Sequence, residues 1–397
     1  GWREWRGSLR DGIVSGVDLT ADLPSGTWPE AWRVRTGEGL SGLVVDRGRV
    51  YCHSRLGLEE VVTCHDAASG SVLWSRSSPL ETDFDQPFFA SRITNGPLST
   101  PTISDGRIYT VGVLGRVQCL DPIDGRLLFS VTAEDLDGAP SEPMYGHAAS
   151  PLVHEGRLHV SYSTGKGPQF LALDARTGKL LWRALDEEVT YTSPIFTVIH
   201  SVPQIVVRSW TRLAGLDPAT GRVLWEHAAV TGGFTRDCAT PVIAGDVIFF
   251  TNEFHGTIAV KVTREGDAWS AARLWRSGYL SGSTATPILH QGYLYGLHKK
   301  GKLTCIDGLT GERRWVARDF GSHVSIISFG DRGLILDDAG KLALVKFSPD
   351  RYEPIASWTV GEYTWAHPAI DEERLYFRDG PDLVALRLAH GAGAPGE

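Results

Sequence analysis

The chain reads as a succession of short apolar runs separated by tight polar turns, with strand-like alternation and no long stretch of helical period. The pattern repeats. Residues 99–129, STPTISDGRIYTVGVLGRVQCLDPIDGRLLF, set out a grammar that later segments follow: ASPLVHEGRLHV with FLALDARTGKLLW, TSPIF with LAGLDPATGRVLW, ATPVIAGDVIFF, and ATPILHQGYLYGLHKKGKLTCIDGLTGERRW. The unit is a Ser/Thr-Pro pair, a strand, a Gly turn, two more strands divided by a second turn, and an Asp-x-x-Thr-Gly hairpin leading into a fourth strand. Asp105-Gly106 and the Gly of Thr177-Gly178, Thr220-Gly221 and Thr310-Gly311 supply the positive φ that such hairpins require. Each unit is therefore a four-stranded antiparallel meander. Proline cannot donate to a ladder, so Pro101, Pro151, Pro194, Pro241 and Pro287 put the first strand at a sheet edge, the innermost position of a radial array.

A closing aromatic recurs at Trp74, Phe129, Trp182, Trp225, Trp275, Trp315 and Trp358, suited to packing between neighbouring sheets. The last strands, WAHPAIDEERLYF and LVALRL, lack such a fourth strand, while AWRVRT at residues 31–36 is a fourth strand with no unit before it. Trp32 would be the eighth aromatic. The expectation is an all-β, eight-bladed β-propeller of four-stranded antiparallel blades, with residues 31–36 closing the last blade and removing the open edges. Eight units over residues 31–388 give about 45 residues each, within the range of propeller repeats. A seven-bladed ring with one weak copy misread is the competing count. Residues 1–388 are expected to form one propeller domain and 389–397 a flexible tail.

Composition narrows the function classes. A net charge of −8 with 39 basic and 47 acidic residues, and no basic stripe, argues against a nucleic-acid partner. No apolar run reaches the ~18 residues of a membrane span. Five cysteines without a CxxC pair point neither to a disulfide scaffold nor to zinc. Cys64, Cys119 and Cys305 share one repeat position and read as buried core thiols. The numbering opens at Gly1 and the only methionine is Met144, so an exported or periplasmic protein that has lost its leader is expected, with a trimmed start or a cytoplasmic location as the alternatives.

The DGRIY, CLD and D-x-x-TG-x-x-LW elements resemble the pyrroloquinoline-quinone-type propeller repeat shared by quinoprotein alcohol dehydrogenases and the outer-membrane assembly lipoprotein of Gram-negative bacteria. WREWRGSLRDG and WAHP further resemble a group of bacterial, mostly exported propeller proteins defined only by their repeats. The quinoprotein likeness implies a quinone held between a Trp and a disulfide of adjacent cysteines, with Ca²⁺ nearby. Here no two cysteines are adjacent, which argues against the quinone.

Propeller geometry puts the connections between blades and the second-to-third-strand turns on one face. Candidate catalytic residues on that face are His147, Tyr191, Asp237, His323 and His367, with Tyr145, Arg236, Glu253, His255, His298, Trp365 and Arg378 as ligand-binding candidates. His53, Lys299, Lys300, Asp337, Asp338 and Asp379 read as neighbours, and the connections 77–98 and 131–148 would wall the opening with Asp83, Asp85 and Arg92. Histidine titrates near neutrality, so the funnel could hold an acid/base site, or a metal assembled from separate blades, since no HxH or HExxH spacing occurs. A P-loop, a GxGxxG at a strand-to-helix junction and a GxSxG elbow are all missing. Two classes survive: a protein that binds a small polar molecule or glycan, with or without catalysis, and a non-catalytic scaffold presenting loops to protein partners.

Overall fold

The computed structural model describes residues 1–15, 24–80, 95–136, 138, 145–164, 167–186, 190–229, 237–282, 284–299 and 301–388. They form eight four-stranded antiparallel sheets. Blade 1 runs from Val44–Asp46 to Val72–Pro79, blade 2 from Thr102–Ser104 to Leu127–Val131, blade 3 from Leu152–His154 to Leu180–Ala184, and blade 4 from Ile195–Ile199 to Val223–Ala228. Blade 5 runs from Val242–Ala244 to Ala268–Ser277, blade 6 from Ile288–His290 to Arg313–Arg318, and blade 7 from Val324–Phe329 to Glu353–Thr359. Blade 8 takes Ala369–Ile370, Arg374–Asp379 and Asp382–Arg387 from the end of the chain and its outer strand, Glu30–Arg35, from the beginning. Trp32 lies opposite Ala385 and Val34 opposite Leu383. The ring has eight blades and closes through the N-terminal strand, one residue earlier than the 31–36 reading.

The closing aromatics work through the hairpin of the following blade. The indole N–H of Trp74 donates to Pro122 O (3.1 Å), Trp182 to Pro218 O (3.3 Å), Trp275 to Gly308 O (3.1 Å) and Trp32 to Ala67 O (3.0 Å). In each case the acceptor is the residue after the hairpin Asp, whose carboxylate turns back to cap the loop, as Asp217 does toward the N–H groups of Ala219 and Thr220. The hairpin Gly then lies flat on the ring. A Cβ on Gly221, at φ +74°, would stand 2.5 Å from Trp182. Blade 8 has no such hairpin because its fourth strand comes from elsewhere, so Trp358 donates to Pro24 O (2.9 Å) and meets Trp28 edge-on at 4.5 Å. Trp225 is the exception and bonds Gln204 Oε1 within its own blade (2.6 Å).

The Ser/Thr of each Ser/Thr-Pro pair has its own purpose. Gly42 N–H donates to Thr100 Oγ1, Thr100 N–H to Ser150 Oγ, Ser150 N–H to Ser193 Oγ, Ser193 N–H to Thr240 Oγ1 and Thr240 N–H to Thr286 Oγ1, all at 3.0–3.2 Å. The hydroxyls thus stitch blade 1 to blade 6 around the channel and satisfy backbone donors that an inner edge leaves unpaired.

Residues 1–15, which fit no repeat, plug the ring. Val45 N–H donates to Trp2 O and Ile103 N–H to Arg3 O; Ser328 exchanges bonds with Gly12 O and Val14 N–H. Two arginines are buried. Arg6 donates to Pro287 O and Asp11 O, and Arg10 reaches Ser150 O, Pro151 O, Pro194 O, Thr102 Oγ1 and the carboxylate of Glu4. The plug therefore ties the first strands of most blades together.

All five cysteines are free thiols, and Cys64, Cys119 and Cys305 face Tyr51, Tyr109 and Tyr295 in register on their separate blades. Burial pushes the Cys64 thiol up to about 11 and Cys305 to about 12.

Candidate functional site

The connections between blades surround a cavity of about 320 Å³ at one mouth of the channel. Its walls carry Tyr145, Tyr191, Glu253, His323, Trp365 and His367, six of the sequence candidates, drawn from the approaches to blades 3, 4, 7 and 8 and a turn of blade 5. Tyr145 and Tyr191 meet edge to face at 5.4 Å, and His323 stacks on Trp365 at 5.0 Å with the planes 10° apart. Below them lie hydroxyls that include Thr100, Ser150, Ser193 and Thr286 of the stitching series. Trp5 completes the lining from the plug, so the funnel is blind.

Trp5 was absent from the sequence reading because residues 1–15 share no spacing with the blades. The signal available was WREWRGSLRDG itself, an aromatic- and Arg-rich segment outside the period.

The histidines of the funnel are aromatic-packed and uncharged. His367 lies between Trp2, stacked at 6.0 Å, and Trp5, edge-on at 6.1 Å. Its Nδ1 faces Pro368 O at 2.9 Å, and a carbonyl can only accept, so the proton sits on Nδ1. Burial, then the charge of Arg6, holds its pKa down at about 3; burial holds His323 at about 4. Neither takes up a proton readily near neutrality, so both rings stand in the cavity as neutral imidazoles.

Other candidates fall elsewhere. His147 is buried with both ring nitrogens on backbone, Nδ1 on Val113 O (3.3 Å) and Nε2 accepting from Ser163 N–H (3.2 Å), and burial lowers its pKa to about 4. It fastens blade 2 to blade 3 and does not line the cavity. Asp237 is buried against Arg208 of blade 4 (2.5 Å) and Asn252 of blade 5 (2.8 Å), a cross-blade ion pair. Arg378, 1% exposed, points into the seam between blades 8 and 1, donating to Gly37 O (2.6 Å), His53 O (3.2 Å), Ser54 Oγ (3.1 Å) and Cys52 Sγ (3.0 Å). His53 belongs to the strand Arg49–Leu56 rather than to a turn, and its Nε2 lies 4.0 Å from the buried Glu60. His255 and His298 line a second, shallower groove with Lys299, joined to the funnel only through Glu253. Asp337 caps its own turn, accepting from Ala339 and Lys341 N–H. Arg236, Lys300, Asp83, Asp85, Arg92 and the tail 389–397 lie outside the described residues.

Among the described residues no three His, Cys, Asp or Glu side chains are grouped to hold a metal ion. A quinone of the pyrroloquinoline type is a tricarboxylate and needs cationic partners. The described lining has Glu253 as its one side chain with a full charge and Cys238 as its one cysteine, a donor set that does not fit.

Eight four-stranded blades stitched at the centre and latched by aromatics at the rim define a repeat propeller with one blind, aromatic-lined mouth. Residues 58–317 match the family model described as outer membrane protein assembly factor BamB, and the chain belongs to that family. BamB of Moranella endobia is 22% identical over 273 residues, 65% of this chain and 66% of that protein. The crystal structure of BamB from Moraxella catarrhalis superposes with a TM-score of 0.65 at 14% identity, covering 91% of this chain and all of the other. The quinohemoprotein alcohol dehydrogenase of Comamonas testosteroni superposes at 0.71 with 12% identity, over the whole chain and 82% of the enzyme. At such identities the two structures speak for the fold alone.

Proposed function

We propose that the protein binds a small polar ligand or glycan in the blind funnel, as a binding protein and not as a hydrolase. The observation that carries this reading is the convergence of Tyr145, Tyr191, His323, Trp365 and His367 on one cavity that Trp5 and several hydroxyls also line. Aromatic faces suit the apolar side of a sugar ring, and hydroxyls suit its edge. Hydrolysis of a glycosidic bond ordinarily uses two carboxyl groups. Glu253 alone lines the funnel among the described residues, and Asp237 is committed to Arg208. The experiment is a titration of tryptophan fluorescence with maltotriose, cellotriose and chitotriose. At least one sugar should give a saturable change that Trp365→Ala weakens tenfold or more. If none changes the emission, the glycan reading fails.

A second reading is a scaffold for a protein partner. It draws on family membership and on the hairpin tips of the opposite face, where Ile123 and Leu309 stand 72% and 86% exposed. An exported location, near the outer membrane where the relatives' name places them, accompanies that reading. Among the described residues no helix is long and apolar enough to cross a membrane. Capture of a partner that Ile123→Asp with Leu309→Asp abolishes, and Trp365→Ala does not, would favour the scaffold.

A further inference from the structure

The groove between blades 5 and 6 is lined, Glu253 apart, by residues that do not line the funnel, and it has a volume of about 240 Å³. We propose that this groove is a separate binding site for an anionic group, a carboxylate or phosphate carried by a small molecule. The donors are arranged by one another. Arg276 donates from Nε to His255 O (2.9 Å) and from Nη2 to His255 Nδ1 (3.1 Å). A guanidinium has no lone pair to offer, so Nδ1 must accept, the ring is neutral and its proton is fixed on Nε2. That Nε2–H is a buried donor on a residue lining the groove, and it has no hydrogen-bond partner among the described residues.

Lys299 adds a point charge, held 5.6 Å above the ring of Phe254. His298, anchored by Nδ1 on Ser281 Oγ (2.9 Å), records the local field: burial first, then Lys302, Lys299 and Arg313, lower its pKa. Two basic side chains, Arg276 and Lys299, thus line one groove of a chain whose net charge is −8. Glu253, on the wall shared with the funnel, is the one acidic side chain of the groove's described lining and opposes an anion there. A groove lined by Arg276, Lys299 and a histidine with an unpartnered Nε2–H is suited to a carboxylate or a phosphate, since bonds to ionised acceptors are about twice as strong as neutral ones.

The test is a calorimetric and NMR titration of the whole chain with inorganic phosphate and, separately, with citrate, at low and constant ionic strength. At least one should bind saturably and shift the His255 ring proton, with the two arms telling phosphate from carboxylate preference. Arg276→Ala and Lys299→Ala should each weaken binding tenfold or more, Glu253→Gln should tighten it, and Lys346→Ala on blade 7 should leave it unchanged. These side chains hold no core together, and circular dichroism verifies the fold of each variant. A response no different from chloride at matched ionic strength, or wild-type affinity in Arg276→Ala, overturns the proposal.

Discussion

Replacing Arg10 by Met tests whether the N-terminal plug is part of the ring's architecture or merely rests on it. The guanidinium is buried and reaches the carbonyls of Ser150, Pro151 and Pro194, the hydroxyl of Thr102 and the carboxylate of Glu4. Pro151 O keeps a second donor, the Thr102 hydroxyl at 2.6 Å, but Ser150 O and Pro194 O lose the side-chain donor that reaches into the channel. An orphaned buried acceptor costs about 1–3 kcal/mol. Glu4, whose side chain is 15% exposed, is left as a carboxylate without its cation. Methionine refills most of the volume and returns about 1 kcal/mol of apolar burial. The net expectation is a loss of about 3–5 kcal/mol, in the range found when one partner of a buried ion pair is removed. Equilibrium urea unfolding, followed by tryptophan fluorescence, should show the midpoint falling at unchanged slope. Leu9→Ala is the internal control, since Leu9 is 78% exposed and should change little. A loss under ~1 kcal/mol for Arg10→Met, well below the range set by these contacts, would refute the claim that the plug braces the blades.

Three further outcomes follow from the same contacts. His53, His147, His159, His323 and His367 have folded pKa values lowered by burial to about 3, 4, 3, 4 and 3, below the unfolded 6.5, so their contribution is intact above pH 6.5 and is lost as pH falls toward 4, at up to ~1.4 kcal/mol per pH unit for each; urea midpoints that stay flat between pH 7 and 4.5 would contradict it. Glu60 has the opposite sign: burial raises its pKa from 4.5 to about 7, so its stabilising share is present below 4.5 and fades as pH rises through 7. Glu60→Gln should therefore gain on the wild type between pH 5 and 8.5, by up to ~3 kcal/mol, in paired denaturation curves. Gly221→Ala must place a Cβ against Trp182 as well as adopt a left-handed conformation, whereas at Gly330 nothing lies within 4 Å, so the first should lower the melting temperature clearly more than Gly330→Ala, which bears only the ~1–2 kcal/mol backbone cost.

What could be read from the sequence was whatever repeats. Trp32 without a blade and LVALRL without a fourth strand were enough to predict closure, because an unpaired strand at each end has one economical solution. The proline of each Ser/Thr-Pro pair was legible as an edge marker, yet the hydroxyl beside it was not, since its partner is the backbone of the preceding blade and leaves no mark on residue type. Face assignment put Tyr145, Tyr191, Glu253, His323, Trp365 and His367 on one side of the ring, and all six line one cavity. It failed for His147 and Arg378, where a side chain turned into the seam between blades satisfies backbone groups that a loop would otherwise bury unpaired. Position along a strand is a matter of spacing; the rotamer that sends a ring inward or outward is decided by its neighbours.

Because the outer strand of blade 8 is made first and its partner last, the order of synthesis is written into the ring. Glu30 pairs with Leu386, so closing that sheet brings together points about 350 residues apart, at a chain-entropy cost near 5 kcal/mol on the logarithmic scaling of loop closure. Blades 1 to 7 can assemble from neighbouring hairpins as the chain emerges, but Trp32 must wait for Asp382–Arg387 to leave the ribosome before it has a sheet to join. A chain that stops before Asp382 would thus carry two unpaired strand edges, Glu30–Arg35 and Arg374–Asp379, and quality control in the cell would meet it as an aggregating species.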